Sequence, residues 1–359
     1  MTTDTDAESW CERNLVCPRD QQSLRSDAGA LTCPTGHRYP VVEGIPVVLR
    51  DDVRQTIDVA ERSLAAAREH MRAPRAAGDL YVDTLGIAPH EKAGIRNAAR
   101  DQMKVDPVVA YLVGATSGYL YSHLIGTLER HPIPELRLPL SSGAKFLDIG
   151  CNWGRWSIAA ARKGYTVVGI DPSLGAVLAA RRLCIAMGLD LHFVVADARF
   201  LPFPTGSFDV AFSYSVLQHL SREDVRRVLD GLHGVLRPGG EALIQMPNRL
   251  GLRCLYHQAR RGFREGRAFE VRYWSIPELT RVFESALGPT QLSVDCYFGL
   301  GLQRSDENLM RPLGRAAVRV SDGLRRASER LPAMRHVADS IYVRAVNRGQ
   351  GGTAAPTRT

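Results

Sequence analysis

Lysine is almost missing from the sequence, because only four of its 46 basic residues are lysine and the others are arginine. A GC-rich genome also produces this bias, so the net charge of +8 does not by itself indicate a nucleic-acid partner. The excess positive charge is nevertheless localised. Residues 249–272 contain seven arginines and two glutamates, and residues 304–348 contain ten arginines and five acidic residues. We therefore expect basic surface in the C-terminal part of the chain.

The opening of the chain lacks a positively charged segment followed by an apolar run, so no secretory signal peptide is predicted. The seven cysteines lie at scattered spacings, and this pattern does not form a disulfide framework. Both absences lead us to expect a cytoplasmic protein.

The stretch Val108–Leu128 lacks charged residues and is long enough to span a bilayer. Its glycine, serine and threonine residues and His123 would make it insert poorly. We predict no transmembrane span here, but a buried pair of short helices that breaks near Gly118 and covers the active site.

Composition and pattern divide the chain into four segments. Residues 1–52 are polar and rich in turns, and residues 53–141 indicate a helical linker or cap. Residues 142–349 alternate strand and helix patterns, as in a doubly wound α/β domain. They also include two late strands separated by a mostly helical, arginine-rich insertion at 303–338. We expect residues 350–359 to be a disordered tail.

A glycine-containing turn directly follows the first strand of the α/β segment, in "FLDIGCNWGRW". Its spacing differs from the G-x-G-x-x-G of dinucleotide-binding proteins, which weakens a nicotinamide interpretation. Such a turn places backbone N–H groups at the carboxyl end of a strand, where a ligand can approach closely. Acidic residues end the second and third strands. The candidate cofactor-binding residues are Asp148, Gly150, Asn152, Gly154, Asp171, Asp197, Ala198 and Ser213.

Five motifs follow one another over about a hundred residues, namely "LDIGCNWG", "GIDPS", "ADARFLPF", "FDVAFSYSVLQHL" and "LRPGG". In this order they resemble the class I S-adenosylmethionine-dependent methyltransferases. The resemblance implies a Rossmann-like sheet of seven strands with the last one antiparallel, and S-adenosylmethionine lying across the carboxyl ends of the first strands. Asp171 would then bind the ribose hydroxyls and Asp197 the adenine amino group. Asn152 replaces the commonest glycine, and asparagine tolerates unusual backbone angles.

The acceptor side is predicted from residues after the fourth and fifth strands. His219 is a candidate for proton transfer, since histidine titrates near neutral pH, and a purely structural histidine is the alternative. Tyr214 is a second catalytic candidate, Gln218 could position the acceptor, and Asn248 is expected to face the same pocket. This part of the chain is similar to small-molecule O-methyltransferases such as those of ubiquinone biosynthesis.

Residues 250–263 carry an apolar stripe flanked by arginines, a pattern typical of helices that lie on anionic membranes. The more common structure has such a stripe packed on its own domain with the charges solvated, and we expect that arrangement. Peripheral membrane contact is the alternative.

The N-terminal segment carries Cys17, Asp20, Cys33 and His37 in a C-x2-D-x12-C-x3-H layout. This spacing resembles a small zinc ribbon like those of tRNA, rRNA and protein methyltransferase partners and of a bacterial rRNA guanine methyltransferase. Asp20 stands where those proteins usually have cysteine, and Cys11 could substitute for it. The sequence is compatible with a bound Zn²⁺ and with a degenerate ribbon that folds without metal.

Three functions fit these observations. The leading prediction is O-methylation of a small-molecule, glycan or lipid-linked acceptor. The second is methylation of rRNA or tRNA, with the ribbon and the arginine-rich surfaces holding the RNA. The third is a non-catalytic partner that binds the methyl donor and recruits another methyltransferase. No Asn-Pro-Pro-Tyr-like motif follows the fourth strand, which counts against the RNA prediction.

Overall fold

The computed structural model describes residues 4–76, 78–99 and 104–349. The predicted disordered tail at 350–359 lies outside the described residues. The N-terminal segment begins with helix α1 and continues as a four-stranded antiparallel sheet in chain order. Its elements are α1 (Asp4–Asn14), β1 (Arg25–Asp27), β2 (Ala30–Thr32), β3 (Arg38–Val42) and β4 (Ile45–Pro46).

Helices follow this small sheet, as predicted for residues 53–141. They are α2 (Asp58–Arg72), α3 (Pro89–Ala98) and α4 (Pro107–Thr116), with short 3-10 helices at Val82–Thr84 and Tyr119–Leu124. The predicted pair of short helices is confirmed, because α4 and the second 3-10 helix meet around Gly118, whose φ is 94°. Asp106 begins α4 by accepting hydrogen bonds from the backbone of Val108 and Val109. Within the described ranges, no helix has both the length and the apolar character needed to cross a membrane.

The main sheet contains seven strands in the order β10-β11-β9-β8-β5-β6-β7. Its last strand in the chain, β11, runs antiparallel to both neighbours, whereas the other strands are parallel to one another. The strands are β5 (Lys145–Ile149), β6 (Thr166–Asp171), β7 (His192–Val195), β8 (Phe208–Ser213), β9 (Leu236–Pro247), β10 (Thr290–Cys296) and β11 (Ser340–Val346). This topology confirms the predicted Rossmann-like α/β fold.

The strand order fixes where a ligand can lie. β5 pairs with β6 on one side and with β8 on the other, so the chain reverses its direction of sheet growth at β5. Open α/β sheets bind ligands at such a switch point, outside the carboxyl ends of the strands. The glycine-containing turn, the end of β6 and the end of β8 all meet at this edge.

Helices cover both faces of the sheet. They are α5 (Arg155–Ala161), α6 (Leu174–Ala186), α7 (Arg222–Val235), α8 (Leu252–Arg260), α9 (Ile276–Ala286) and α10 (Pro312–Arg330). The start of α9 is a capping box in which Ser275 and Glu278 each satisfy the other's backbone N–H. The predicted insertion between β10 and β11 is helical, with α10 flanked by 3-10 helices at Arg304–Leu309 and Pro332–Val337.

The N-terminal segment packs on the main domain. Val47 forms a parallel bridge to Val195 at the edge strand β7, and Trp10 stacks on His192 with ring centroids 4.1 Å apart. Apolar residues of this segment, such as Leu31, lie in the same core cluster as Leu147 of β5. The small sheet therefore extends the hydrophobic core at this edge.

One expectation about the surface is wrong. The apolar stripe of residues 250–263 does not pack on its own domain, because Leu252, Tyr256 and Phe263 are all more than half exposed. The side of α8 that faces the domain instead carries Cys254 and Gln258, which are buried. Helix α8 ends at Arg260, before Phe263, and periodicity did not reveal which of its faces the domain covers.

Candidate functional site

The glycine-containing turn has the backbone geometry expected of a ligand loop. Gly150, Asn152 and Gly154 all have positive φ, at 74°, 49° and 81°. The left-handed conformation predicted to be tolerable for Asn152 is therefore adopted. A Cβ atom at Gly150 would lie 2.2 Å from Cγ2 of Val216, so only glycine fits between the turn and the segment after β8.

Asp171 ends β6 beside this turn and is partly exposed. Its Oδ2 accepts the Asn152 N–H at 3.0 Å and its Oδ1 accepts the Ser173 N–H at 2.9 Å. Burial raises the pKa of this carboxyl to about 6, although both hydrogen bonds oppose the rise. Asn152 Oδ1 is buried with no hydrogen-bond partner among the described residues. An unpaired buried acceptor beside a partly exposed carboxylate fits a ligand that brings hydroxyl or amine donors.

Two other predicted cofactor residues lie beneath this edge. Asp148 is 1% exposed and accepts a hydrogen bond from Ser157 Oγ at 2.6 Å. Burial raises its pKa to about 7. Ser213 is fully buried and donates to the Ile149 carbonyl at 3.0 Å. In this structure both side chains connect β5 to its neighbours and support the turn from below.

Asp197 follows β7 and is held by Arg199. The guanidinium donates to both carboxylate oxygens, with Nη2 2.7 Å from Oδ2 and Nε 3.2 Å from Oδ1. Arg199 also reaches Asp224 Oδ1 at 3.3 Å and lies over the Phe200 ring. Ala198, between the two, is partly buried. Contact of Asp197 with adenine stays a prediction, and the structure adds that Arg199 fixes the orientation of this carboxylate.

His219 lies in the 3-10 helix Leu217–His219 after β8. Its Nδ1 is 2.7 Å from the carbonyl of Phe269 and must donate to it, because a carbonyl oxygen only accepts. The Nε2 atom then accepts from Gln218 Nε2 at 3.2 Å. Burial, assisted by Arg272, lowers the pKa of His219 to about 4. The imidazole is therefore neutral at pH 7, with its unprotonated nitrogen on the side of Gln218.

Tyr214 belongs to a buried polar network that the sequence did not reveal. Its hydroxyl donates to Asp295 Oδ2 at 2.6 Å and accepts from Gln303 Nε2 at 2.7 Å. Ser340 Oγ also donates to Asp295 Oδ2, at 2.8 Å, and Arg137 Nη1 lies 3.4 Å from Asp295 Oδ1. Burial and the neighbouring Asp295 raise the pKa of Tyr214 well above its usual value. Tyr214 is thus a protonated hydrogen-bonding residue rather than a base.

A second unpredicted cluster joins the turn to the cap and the insertion. Arg155 directly follows Gly154, and its Nη2 lies 2.9 Å from Oδ2 of the fully buried Asp306. The Tyr121 hydroxyl donates to the same oxygen at 2.7 Å. An unpaired charge would be costly at this depth, so Arg155 and Asp306 depend on each other. Together with Tyr121 they join the glycine-containing turn, the insertion and the cap. The position of Arg155 next to the glycine turn was the only signal in the sequence.

Asn248 does not face a pocket, contrary to the prediction. It is 1% exposed, and its side chain donates to the carbonyls of His336 and Ala338, each at 2.8 Å. Because these carbonyls precede β11, Asn248 fastens the end of β9 to the start of that strand.

The N-terminal segment brings together Cys17, Asp20, Cys33 and His37, whose ligand atoms all lie within 4.8 Å of one another. Both sulfur atoms are 3.4 Å from His37 Nδ1, and Asp20 Oδ2 is 3.3 Å from the same nitrogen. A tetrahedral zinc site has ligand-to-ligand distances of about 3.3–3.8 Å, given bond lengths of about 2.0–2.3 Å. The donor set and its spacing therefore fit Zn²⁺.

Neighbouring groups orient these four side chains. Thr35 donates to Asp20, and the Tyr39 hydroxyl lies 3.1 Å from Cys17 Sγ. Burial raises the pKa of Tyr39, so its hydroxyl stays a donor toward the sulfur. Cys11 lies in α1 and takes no part in the cluster, so it does not replace Asp20.

Comparison with known proteins agrees with this geometry. Residues 146–240 match the family described as "Methyltransferase domain". An uncharacterized methyltransferase of Synechocystis sp. is 33% identical over 117 residues, which are 32% of this chain and 53% of that protein. A tRNA U34 carboxymethyltransferase of Desulfotalea psychrophila is 32% identical over 165 residues, 44% of this chain and 48% of that protein. A ubiquinone biosynthesis O-methyltransferase of Brucella ovis is 27% identical over 185 residues, 50% of this chain and 66% of that protein.

The chain thus matches about half the length of these relatives. The predictions of a class I methyltransferase domain and of S-adenosylmethionine as its methyl donor are confirmed at the level of this domain. The relatives act on different classes of acceptor, and the acceptor of this chain is a separate question.

Proposed function

We propose that the chain transfers the methyl group of S-adenosylmethionine to a hydroxyl oxygen of a small-molecule, glycan or lipid-linked acceptor. The observation that carries this proposal is His219, which is neutral and presents an unprotonated Nε2 next to the carboxyl edge of the sheet. An oxygen acceptor benefits from a base, whereas a neutral amine needs only orientation.

S-adenosylmethionine supplies an electrophilic methyl group, so the protein mainly binds, aligns and removes a proton. Asp171 accepts hydrogen bonds from the donor's ribose, and Asn152 Oδ1 offers a further acceptor. His219 Nε2 takes the acceptor's hydroxyl proton as the oxygen attacks the methyl carbon, and Gln218 gives up its hydrogen bond to that nitrogen. The Nδ1–H bond to the Phe269 carbonyl stabilises the imidazolium that forms. S-adenosylhomocysteine and the methyl ether are the products.

The weak basicity of His219 limits the acceptor. With a pKa of about 4, its imidazole removes a proton far more readily from a phenolic hydroxyl, whose pKa is about 10, than from an aliphatic alcohol. We therefore favour an acceptor with an acidic hydroxyl. The 27% identity to a ubiquinone biosynthesis O-methyltransferase over half of this chain supports oxygen as the accepting atom.

We also propose that Cys17, Asp20, Cys33 and His37 hold a structural zinc ion. All four positions of a tetrahedral site are supplied by the protein, which leaves no open position for a substrate. The ion would fix the loops of the small sheet, and its role would be stability rather than chemistry.

RNA methylation is the second candidate function, supported by the 32% identity to a tRNA-modifying enzyme over 44% of this chain. A labelled-methyl transfer assay separates the two. Purified protein receives radiolabelled S-adenosylmethionine and host extract, which is then divided into RNA, protein, lipid and water-soluble fractions. Label in the lipid or water-soluble fraction supports the proposal. Nuclease-sensitive label in RNA replaces it with the second candidate.

A further inference from the structure

An apolar and basic surface stands on the outside of the segment that contains α8. Five large apolar side chains of this segment are more than half exposed. They are Leu250, Leu252, Tyr256, Phe263 and Phe269, at 51%, 55%, 56%, 61% and 59% exposure. We call these residues, together with the exposed arginines 253, 260 and 267, the α8 surface.

Helix α8 is held rigidly in this orientation. The buried carboxylate of Asp339 accepts the N–H groups of Arg253 and Cys254, at 2.7 and 2.8 Å. At the next turn, Gln258 Nε2 donates to the Arg249 carbonyl at 2.7 Å. The helix therefore uses its polar face to contact the domain and leaves its apolar face to the solvent. This orientation is the reverse of what a helix of a soluble domain usually adopts.

The arginines of this surface are free to meet a partner. Among the described residues, Arg253, Arg260 and Arg267 form no ion pair. Three of the five arginines of α10 differ, because Arg319, Arg325 and Arg326 are paired with acidic residues. Residues 249–272 carry seven arginines and only two glutamates, so the α8 surface presents a strong positive charge.

We propose that the α8 surface docks on an anionic lipid bilayer. Leucine and aromatic side chains enter the boundary between headgroups and acyl chains, while flanking arginines pair with anionic headgroups. Charge complementarity favours this partner, and the apolar side chains are of the types found at membrane interfaces. RNA-binding surfaces stack bases on aromatic rings, whereas two of these five exposed residues, Leu250 and Leu252, are aliphatic and offer no stacking face.

The same surface reaches the proposed acceptor side. The Phe269 ring stacks on His219 with centroids 3.9 Å apart and an interplanar angle of 4°. Docking would therefore place His219 next to the bilayer, where a hydrophobic acceptor is concentrated. The docking itself needs neither donor nor acceptor, so it can be tested apart from the proposed function.

Vesicle flotation of the full chain tests the proposal. One set of vesicles contains phosphatidylcholine and phosphatidylglycerol in equal amounts, and the other contains phosphatidylcholine alone. We expect flotation with the anionic vesicles only. Each arginine near an anionic surface contributes about 1 kcal/mol, which is about a fivefold change in affinity. The variant R253Q/R260Q/R267Q should therefore bind the anionic vesicles on the order of 100-fold more weakly. The variant L252S/Y256S/F263S should lose at least about tenfold.

Control variants remove the same number of charges, and two exposed apolar side chains, from other parts of the chain. R13Q/R226Q/R281Q removes three exposed arginines from other elements, and L313S/V320S removes exposed apolar side chains from α10. Both controls should float like the unaltered protein, and thermal melting should show that every variant is folded. The proposal is overturned if the anionic vesicles do not bind the chain, or if the controls lower flotation as much. It is also overturned if the arginine variant loses RNA binding in a gel-shift assay while flotation is unaffected.

Discussion

The two acidic residues at the ends of β5 and β6 should differ sharply in their effect on donor binding. Asp171 is partly exposed at the site edge, whereas Asp148 is 1% exposed and bonded to Ser157. Replacement by asparagine removes the same negative charge at Asp148 and at Asp171, so the two variants can be compared directly. We expect Asp171→Asn to weaken S-adenosylmethionine binding and Asp148→Asn to leave it within about threefold.

The magnitude follows from the hydrogen bonds at Asp171. A hydrogen bond to a charged group contributes about 1.5–3 kcal/mol, and the amide keeps one acceptor oxygen of the carboxylate's two. Loss of one such bond is expected to weaken binding about 10- to 100-fold, since about 1.4 kcal/mol is a factor of ten. Isothermal titration calorimetry at pH 8 measures the affinity where Asp171, with its pKa of about 6, is ionised.

Thermal unfolding of both variants checks that they are folded before binding is compared. Equal weakening of donor binding by Asp148→Asn and Asp171→Asn would contradict the different roles assigned to the two carboxyls. Unchanged affinity of Asp171→Asn for S-adenosylmethionine would contradict the role of Asp171 as a ligand of the donor.

Three further predictions concern the metal, pH dependence and catalysis. Cys33→Ser should lower the zinc content of the purified protein from one ion per chain toward zero, whereas Cys11→Ser should leave it unchanged. Mass spectrometry of metals measures both, and equal zinc content in the two variants would contradict the assignment. The folded-state pKa of Asp148, about 7, lies above its unfolded value, so the folded state binds more protons and stability should fall as pH rises from about 4 to 7. This loss is on the order of 4 kcal/mol, and urea unfolding should show it to be much smaller in Asp148→Asn. His219→Gln should lower kcat about 10²- to 10⁴-fold with a smaller change in KM. Tyr214→Phe should leave the pH profile of kcat unchanged. A shifted pH profile in Tyr214→Phe would instead identify the tyrosine as the base.

Local sequence signals predicted the fold and the unusual backbone of the glycine-containing turn. Alternating strand and helix patterns predicted the α/β domain, and its main sheet has the seven strands that the family resemblance implied. The left-handed backbone of Asn152 followed from its residue type. These features depend on contacts within a few residues, which a single sequence carries.

The parts that the sequence did not predict depend on contacts between distant residues. Tyr214 meets Asp295 across 81 positions in the chain, and Arg155 meets Asp306 across 151. No local pattern indicates such pairs. The outward face of α8 was mispredicted for a related reason, because the buried Asp339 that fixes this helix lies in a different segment.

The most direct test of the central claim is a crystal structure of the protein with S-adenosylhomocysteine. We predict that the nucleoside lies at the switch point, with its ribose hydroxyls bonded to Asp171 and its sulfur on the side of His219. A ligand bound elsewhere, or no binding at millimolar concentration, would contradict the assignment of this edge as the methyl-donor site.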